Sequence, residues 1–408
     1  MWFSVFLAGA VHGQWPSLPA DSAVDLTLRW RHWIAVEGSL DLNANTLDNG
    51  MVFNFVEGGH LDRSLRERNS ARMGTHNTGG YLAHGSVAWT GSPGLFGKTG
   101  WRPLVSASVH EVVGLKFTRD LFDLTFFGNA PYAGQTMQAG PAAHVRMGYE
   151  TLGFGVRDVH SRSFIRLDVV KGRSYSGSDV AQADLLTATD GRRIDLRMNG
   201  ALWQSDTAYT GFDAWNGIGA AISGTWAILR PGPEKPLDLR IGVQDLGVVQ
   251  WSDGTMHLEK DSSWAYEGFQ VSNVLALDDI LLDQDHLMDS LGLAQRTGTH
   301  TTLLPFQVHL NADLRAGARW NLGLGAMHVY LPGYSPQITL SGARTFGTCM
   351  QWGLGAVYGG FGGFRVSLAG RFRMGQHTLL TIATPSVAGF AGGETMGLGA
   401  LVGLTVGW

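Results

Sequence analysis

The stretch that decides the fold covers residues 396–408 and reads Met-Gly-Leu-Gly-Ala-Leu-Val-Gly-Leu-Thr-Val-Gly-Trp. Every second residue is apolar, and the residues between them are mostly glycine. Successive side chains of a β-strand point to opposite faces. One face is therefore continuously apolar and ends in an aromatic ring, whereas the other face is small. This combination is typical of a strand that has lipid on one side and a hydrated lumen on the other.

The same alternation recurs upstream, in residues 217–228, 308–316, 320–330 and 364–374. Within these segments the charged side chains stay on one parity, so that face needs water and the other needs lipid or a second layer. The charged parity supplies the candidates for side chains that line a lumen: Asp313, Arg315, Arg319, Arg365, Arg371 and Arg373.

Strand candidates follow one another at short intervals and are separated by turn signals such as 230–236, which contains three prolines. They cover 24–43, 81–91, 103–117, 143–157, 161–174, 192–204, 216–230, 237–251, 262–273, 302–316, 318–331, 336–346, 349–360, 363–375, 377–387 and 396–408. This spacing predicts an all-β chain, a single antiparallel transmembrane β-barrel of about 14–16 strands.

Composition agrees with a β-barrel and does not favour a nucleic-acid-binding or disulfide-bonded protein. Charged residues make up 16% of the chain, below the quarter that is usual in soluble proteins, and 57 glycines help to keep the mean hydropathy neutral. The net charge of −4 gives no indication of a nucleic-acid surface. The single cysteine, Cys349, excludes an intrachain disulfide.

The chain divides into two predicted parts. Residues 1–13 have an apolar core followed by small residues but no basic segment, which favours a truncated signal peptide with Gln14 as the first mature residue. The alternative is a buried N-terminal strand. Residues 14–408 then form the barrel in the outer membrane.

Two segments have helical rather than strand patterns. Residues 118–127 begin with a threonine placed to cap a helix, and residues 277–291 carry leucines on one side and aspartates elsewhere. We expect these short helices to lie in the lumen or at the rim, as plugs or caps.

No motif points to catalysis, a metal or a cofactor. Residues 92–99 end like a phosphate-binding loop but lack its first glycine, and the histidines show no metal-ligand spacing. A Ser–His–Asp arrangement that is assembled across strands stays open, but the sequence indicates no particular triad. The chain is therefore expected not to be an enzyme.

Several short motifs resemble an uncharacterised outer-membrane β-barrel family of Bacteroidota, a domain of unknown function. That family is distantly similar to long-chain fatty-acid transporter barrels and type IX secretion accessory barrels. The likeness spans roughly 25–408 and rests on 120–124 with 128–129, 149–172, 244–251, 265–268, 289–291 and 304–305. Its most specific motif comprises Asp245, Gly247 and Trp251. The resemblance implies a barrel of about fourteen strands and transfers no functional residue.

Asp245 has a physical interpretation of its own. The alternation through Leu239, Ile241 and Val243 would turn its carboxylate toward lipid. A bulge or strand end near 244–247 shifts the parity and avoids that cost. We therefore expect Asp245 at a barrel rim, bonded to backbone or to an arginine.

Three functions remain open. The leading hypothesis is an outer-membrane barrel for passage or capture of a small apolar ligand, with outer-membrane lipid around it. The second is a non-conducting anchor or adaptor of a secretion or gliding-motility complex, which has periplasmic or secretion-system proteins as partners. The third is a barrel-type lipid hydrolase, which requires a Ser–His pair within hydrogen-bonding reach at a rim.

Overall fold

The computed structural model describes residue 27 and residues 30–207, 211–230, 236–266 and 296–408. Nineteen strands occur in this part of the chain. The first ten are β1 Trp33–Ala44, β2 Asn77–Thr90, β3 Trp101–Phe117, β4 Thr136–Gln138, β5 Ala142–Asp158, β6 Phe164–Thr187, β7 Ile194–Gln204, β8 Gly217–Leu229, β9 Leu237–Trp251 and β10 Met256–Tyr266. The remainder are β11 Arg296–Thr297, β12 His300–Leu303, β13 Gln307–Ala316, β14 Trp320–Val329, β15 Ser335–Phe346, β16 Met350–Gly360, β17 Arg365–Met374, β18 Thr378–Thr384 and β19 Leu398–Gly407.

Fourteen of these strands close into one antiparallel ring. The order is β1, β2, β3, β5, β6, β8, β9, β13 and then β14 to β19, after which β19 pairs with β1 along its length. Closure leaves no unpaired edge in the wall, and strands that cross a membrane require this. The predicted fold class is confirmed, and the strand number lies at the lower end of the predicted range.

The outer surface of the ring carries a continuous apolar band. The side chains of the apolar parity are exposed on every strand from β13 to β17, including Leu310, Leu324, Leu340, Leu354 and Val366. On β14 the band runs from Trp320 to Tyr330 just after the strand, eleven residues or ~33 Å. At a strand tilt of ~40° this is ~25 Å along the barrel axis, the height of a lipid-facing band.

The two ends of the barrel differ. At one end, here called the turn end, three-residue turns join β13 to β14, β15 to β16 and β17 to β18. Gly317, Gly347 and Gly375 have positive φ in these turns, a conformation that glycine adopts without strain. The longest connections, which carry the helices and the additional strands, lie at the other end, the loop end.

At the loop end the sheet continues beyond the ring. β7 pairs with the upper part of β6 and with β10, while β4 pairs with β6, β11 with β10 and β12 with β9. We call these five strands the extension. They place a patch of sheet above the wall formed by β6, β8 and β9.

Three helices also lie at the loop end: α1 Asn49–Glu57, α2 Arg63–Arg72 and α3 Arg119–Phe127. Thr118 caps α3, since its hydroxyl accepts the Leu121 N–H at 3.1 Å, so the predicted helix at 118–127 is confirmed. The helices share a small core of Met51, Leu65, Met73 and Phe122, which makes them a cap at the rim rather than a plug inside the lumen.

Two expectations concern residues that the structure does not describe or describes differently. The signal peptide predicted over 1–13 and the helix predicted over 277–291 lie outside the described residues. Residues 63–72, for which no element was predicted, form α2, which is capped by the Asp62 carboxylate.

Candidate functional site

The centre of the site is a bulge in β9 at Asp245. The register with β8 shifts between the pairs Ile222–Leu246 and Gly224–Val243, and Asp245 has a φ of 55°. Before the bulge the odd-numbered Ile241 faces outward, and after it the even-numbered Leu246 does. The Asp245 side chain therefore points into the barrel, where it is 3% exposed. The expected bulge is present. The expected place at a rim is wrong, because β9 continues past the bulge and keeps Asp245 within the wall.

Side chains from three other strands meet the Asp245 carboxylate. The Tyr149 hydroxyl on β5 donates to Oδ2 at 3.1 Å, and Nε2 of His110 on β3 lies 3.7 Å from the same oxygen. Arg166 on β6 places Nη2 3.8 Å from Oδ1. The arginine contact expected for Asp245 is therefore present as a long ion pair.

Arg166 is bound more closely to a second carboxylate. Its Nε lies 2.6 Å from Oδ1 of Asp168, and its Nη2 donates to the Ser223 hydroxyl at 3.2 Å. Ser223 in turn donates to Asp168 at 3.0 Å and accepts the Asp245 backbone N–H at 3.0 Å. Two buried carboxylates thus share one guanidinium. We call the set Tyr149, His110, Arg166, Asp168, Ser223 and Asp245 the waist.

A small polar cavity adjoins the waist. It has a volume of about 40 Å³ and is lined in part by His84, His110, Tyr149, Asp245 and Gln307. His110 stacks flat on Tyr149, with ring centroids 4.4 Å apart. At ~10–15 Å³ for each water, the cavity fits a few water molecules or one small polar headgroup, but not an aromatic ring.

An apolar cluster fills the lumen on the loop-end side of the waist. Its members come from seven ring strands and from the loops 304–306, 330–334 and 361–364. They are Leu82, Val112, Met147, Tyr149, Val170, Tyr175, Ala221, Val249, Trp251, Leu304, Met327, Val329, Leu331, Tyr334 and Phe361. Such a lining suits apolar molecules and disfavours ions.

A ladder of five rings joins this cluster to the extension. From the extension inward the rings are His257, Trp203, His300, Tyr175 and Trp251. Successive centroids lie 5.3–5.7 Å apart, and the planes are inclined by 11–26°. Trp251 is fully buried and donates its indole N–H to the Thr302 hydroxyl at 2.9 Å. The ring ladder is thus a fixed aromatic path between the extension and the lumen.

Two loops close the lumen mouth by reaching the opposite wall. A Cβ on Gly114 of β3 would lie 3.0 Å from the Leu331 Cβ and 2.8 Å from the Pro332 oxygen, although five strands separate β3 from β14. The Thr78 hydroxyl donates to the Phe361 carbonyl at 3.0 Å. Only glycine at position 114 permits this close approach, so the barrel is shut at the loop end.

The predicted lumen residues lie at different heights of the barrel. Arg365 is buried near the loop end, where Nη2 donates to Gln337 at 3.0 Å and Nη1 lies 3.5 Å from Asp41. Asp313, Arg371 and Arg373 are half-buried on the lumen parity toward the turn end, where Arg315 is exposed. Arg319 does not line the wall, because it lies in the exposed turn that precedes β14.

The residues of the predicted motif occupy the site. Asp245 belongs to the waist and Trp251 ends the ring ladder. A Cβ on Gly247 would meet the Ala220 oxygen at 2.1 Å, so glycine is required where β9 packs against β8.

Two Ser–His pairs bear on the hydrolase hypothesis. Ser108 Oγ lies 2.9 Å from Nε2 of His110, but this pair is inside the barrel, and Asp245 faces the same ring nitrogen instead of orienting the other one. Both ring nitrogens of His144 face hydroxyls, those of Ser176 and Ser178. Neither pair has the carboxylate–imidazole–hydroxyl order of a triad. Among the described residues there is also no group of metal-ligating side chains.

Comparisons with known proteins find one matching family and several similar solved structures. Residues 182–383, just under half of the chain, match a family of unknown function (DUF5723), in keeping with the predicted resemblance to such a domain. No curated protein matches the sequence. No helix in the described ranges is both long and apolar enough to cross a membrane.

Three solved barrels show the structural likeness. The toluene transporter TodX of P. putida is 9% identical, with 92% of this chain and 90% of that chain covered and a TM-score of 0.41. A FadL homologue of Pseudomonas aeruginosa is 12% identical, with 92% and 89% covered and a TM-score of 0.41. The transport unit of the autotransporter AIDA-I from Escherichia coli is 9% identical, with 96% and 95% covered and a TM-score of 0.29. Identities this low say nothing of what the present chain binds.

Proposed function

We propose that the protein is an outer-membrane barrel that captures a small apolar ligand at its loop end and passes it through the lumen. The observation that carries the proposal is the ring ladder, which leads from the extension into the apolar cluster. A ligand that leaves the aqueous side would exchange water for ring and methyl surfaces at every step, and this exchange is favourable for apolar molecules.

The charges that bound the apolar band support a membrane setting. On β6 the outward row Ile165, Leu167 and Val169 is followed by Lys171, whose ammonium lies 3.4 Å from the Glu150 carboxylate on β5. At the turn end the Arg344 guanidinium lies over the rings of Trp320 and Phe346, at 5.3 and 5.0 Å. Charges and aromatic rings at both borders of an apolar band are the pattern of a barrel in lipid.

Passage requires the shut barrel to open. The loop 330–334 and Phe361 block the mouth, and the waist blocks the middle of the lumen. We expect the mouth loops to move first, because their residues lie outside the strand ladders, whereas the waist belongs to hydrogen-bonded strands. The predicted Bacteroidota setting and signal peptide remain predictions, and the proposal includes no catalytic step.

The experiment is uptake of N-phenylnaphthylamine, an uncharged aromatic dye that fluoresces on reaching lipid. Intact cells of an outer-membrane host that produce the protein should take up the dye several-fold faster than cells without it. Trp203→Ala, which interrupts the ring ladder, should remove most of that gain. Trp226→Ala is the matched control, because Trp226 lies on the outward face of β8. Equal rates for cells with and without the protein would refute the proposal.

One observation favours the adaptor as a second candidate. α1 exposes Phe55 and Val56, by 63% and 72%, and Phe390 is 62% exposed in the 3₁₀ turn Val387–Ala391 that contacts α1 through Asn49. An apolar surface outside the lipid band fits a protein partner. The double variant F55S/V56S should then lose a co-purified partner while dye uptake stays unchanged. Loss of uptake with no loss of a partner would assign this surface to the ligand instead.

A further inference from the structure

The waist carries an unbalanced negative charge. Among the residues that the structure describes, Arg166 is the one guanidinium that contacts its carboxylates, and it lies 2.6 Å from Asp168 but 3.8 Å from Asp245. The imidazole of histidine has a reference pKa of about 6.5, so His84 and His110 add no full positive charge to the waist at neutral pH. Glu111, Glu150, Lys171 and Arg173 lie on the outward parity and bond one another, so they do not face the waist. One guanidinium thus serves two carboxylates, and the longer of its two contacts is the one to Asp245.

Asp245 is also the carboxylate that lines the cavity. Gln307, 6% exposed, lines the same cavity, and its Nε2 has no hydrogen-bond partner. Nδ1 of His84, on the cavity wall, has none either. Buried polar groups normally have a hydrogen-bond partner, and a group without one lowers the stability of the fold. The cavity is thus a built polar site with an amide donor, an imidazole and a carboxylate.

The walls of the cavity on its loop-end side are apolar. Leu82, Val112 and Val329 line it there and belong to the apolar cluster beneath the ring ladder. A ligand that comes down the ladder would keep its apolar body in the cluster and place a small headgroup beside Asp245. A hydroxyl or an ammonium group donates to a carboxylate, whereas a carboxylate headgroup would bring a second anion against it.

We propose that the waist selects the ligand by charge: it accepts an apolar body with a neutral or cationic hydrogen-bonding head and rejects carboxylates. The inference rests on the proposed function and specifies its ligand class. Like charges that are brought together in a site shielded from water lower affinity by at least about tenfold. Fatty acids and aromatic acids are therefore excluded at neutral pH, while alcohols, phenols and amines are admitted.

The test compares three probes that share one ring system: naphthylmethanol, naphthylmethylamine and naphthylacetate. Binding to the full chain in lipid nanodiscs is measured by equilibrium dialysis, with protein-free discs as the correction for partition into lipid. The alcohol and the amine should bind at least about tenfold more tightly than the acetate. Asp245→Asn, which keeps a side chain that tolerates positive φ, should bring the three affinities to within about threefold of one another.

Asp238→Asn is the matched control, because Asp238 lies on the same strand but is bonded to Arg240 at 2.9 Å, away from the cavity. It should leave the discrimination unchanged. If naphthylacetate binds the wild type as tightly as naphthylmethanol does, the inference is overturned, and this result does not depend on whether Asp245→Asn folds. Binding of all three probes without discrimination refutes the charge filter alone, and binding of none refutes the capture function with it.

Discussion

Tyr149 donates its phenolic hydrogen to Asp245 at 3.1 Å, and this bond joins β5 to β9 across β6 and β8 in the barrel interior. Both side chains are buried, so the bond has no competition from bulk water. It holds the bulge carboxylate against the ring that His110 covers at 4.4 Å. The waist is therefore one connected unit and not a set of separate pairs.

Removing the donor should cost stability. Tyr149→Phe keeps the ring in place but leaves an Asp245 oxygen without that hydrogen bond, which lowers the free energy of unfolding by about 1–2 kcal/mol. Urea unfolding of the purified barrel, followed by tryptophan fluorescence, measures the change. Tyr358→Phe is the control, since that ring is exposed on the outward face, and it should unfold like the wild type. Identical midpoints for both variants would contradict the role given to this bond.

The closed mouth makes a prediction about leakage. In Gly114→Ala the new methyl group would lie 2.8 Å from the Pro332 oxygen and 3.0 Å from the Leu331 Cβ, which displaces the loop 330–334. Dye uptake by intact cells should rise a few-fold above that of the wild type. Gly363→Ala, in the neighbouring loop, meets no atom within 4 Å and should behave as the wild type. An unchanged rate for Gly114→Ala would mean that this contact does not limit entry.

Cys349 reports which end of the barrel faces the periplasm. It is exposed in the turn between β15 and β16, and short turns face the periplasm in barrels of this kind. A maleimide attached to a polymer too large to pass porins should leave Cys349 unlabelled in intact cells. It should label Cys349 after the outer membrane is permeabilised. Labelling of intact cells would invert the proposed orientation.

The rate of that labelling has a local cause. A hydrogen bond from Thr348, and beyond it the Arg373 guanidinium, lowers the pKa of the Cys349 thiol. More thiolate is then present at neutral pH, and the thiolate is the reactive form. Thr348→Val should raise the pKa and slow the reaction near neutral pH, and the two rates should converge above the thiol pKa. A rate that does not differ at neutral pH would show that the hydroxyl has no influence.

The barrel could be predicted from sequence because its signal is local. Leu310, Leu324 and Val366 take their outward places from a period of two residues, which each strand expresses by itself. The cap of α3 could be predicted for the same reason, since the Thr118 hydroxyl binds an N–H only three residues away. Asp48 and Asp62 cap α1 and α2 in the same way, through the N–H of Met51 and of Leu65, but neither helix was predicted.

The site could not be predicted in the same way. A parity argument at Asp245 indicated the bulge, but not the partners of its carboxylate, which come from β3, β5 and β6. The ring ladder combines Trp203, His257 and His300 from three strands of the extension. Their meeting depends on strand stagger and ring closure, which no single segment encodes. The sequence signal consisted of histidines and tryptophans that belong to no recognisable motif. Their presence alone does not indicate that their rings stack.

The central claim, that the ligand travels through the lumen, is tested most directly by locking the mouth. Gly114→Cys with Leu331→Cys, in a Cys349→Ser background, starts from a Cβ–Cβ separation of 3.0 Å, and a shift of the loop by about half an ångström reaches the separation of a disulfide, which ties β3 to the loop 330–334. Oxidised cells should take up N-phenylnaphthylamine no faster than cells without the protein. A reductant should raise the rate to at least that of the wild type, because a side chain at position 114 displaces the loop once the bond is broken. An unchanged rate with the disulfide formed would contradict transport through this barrel.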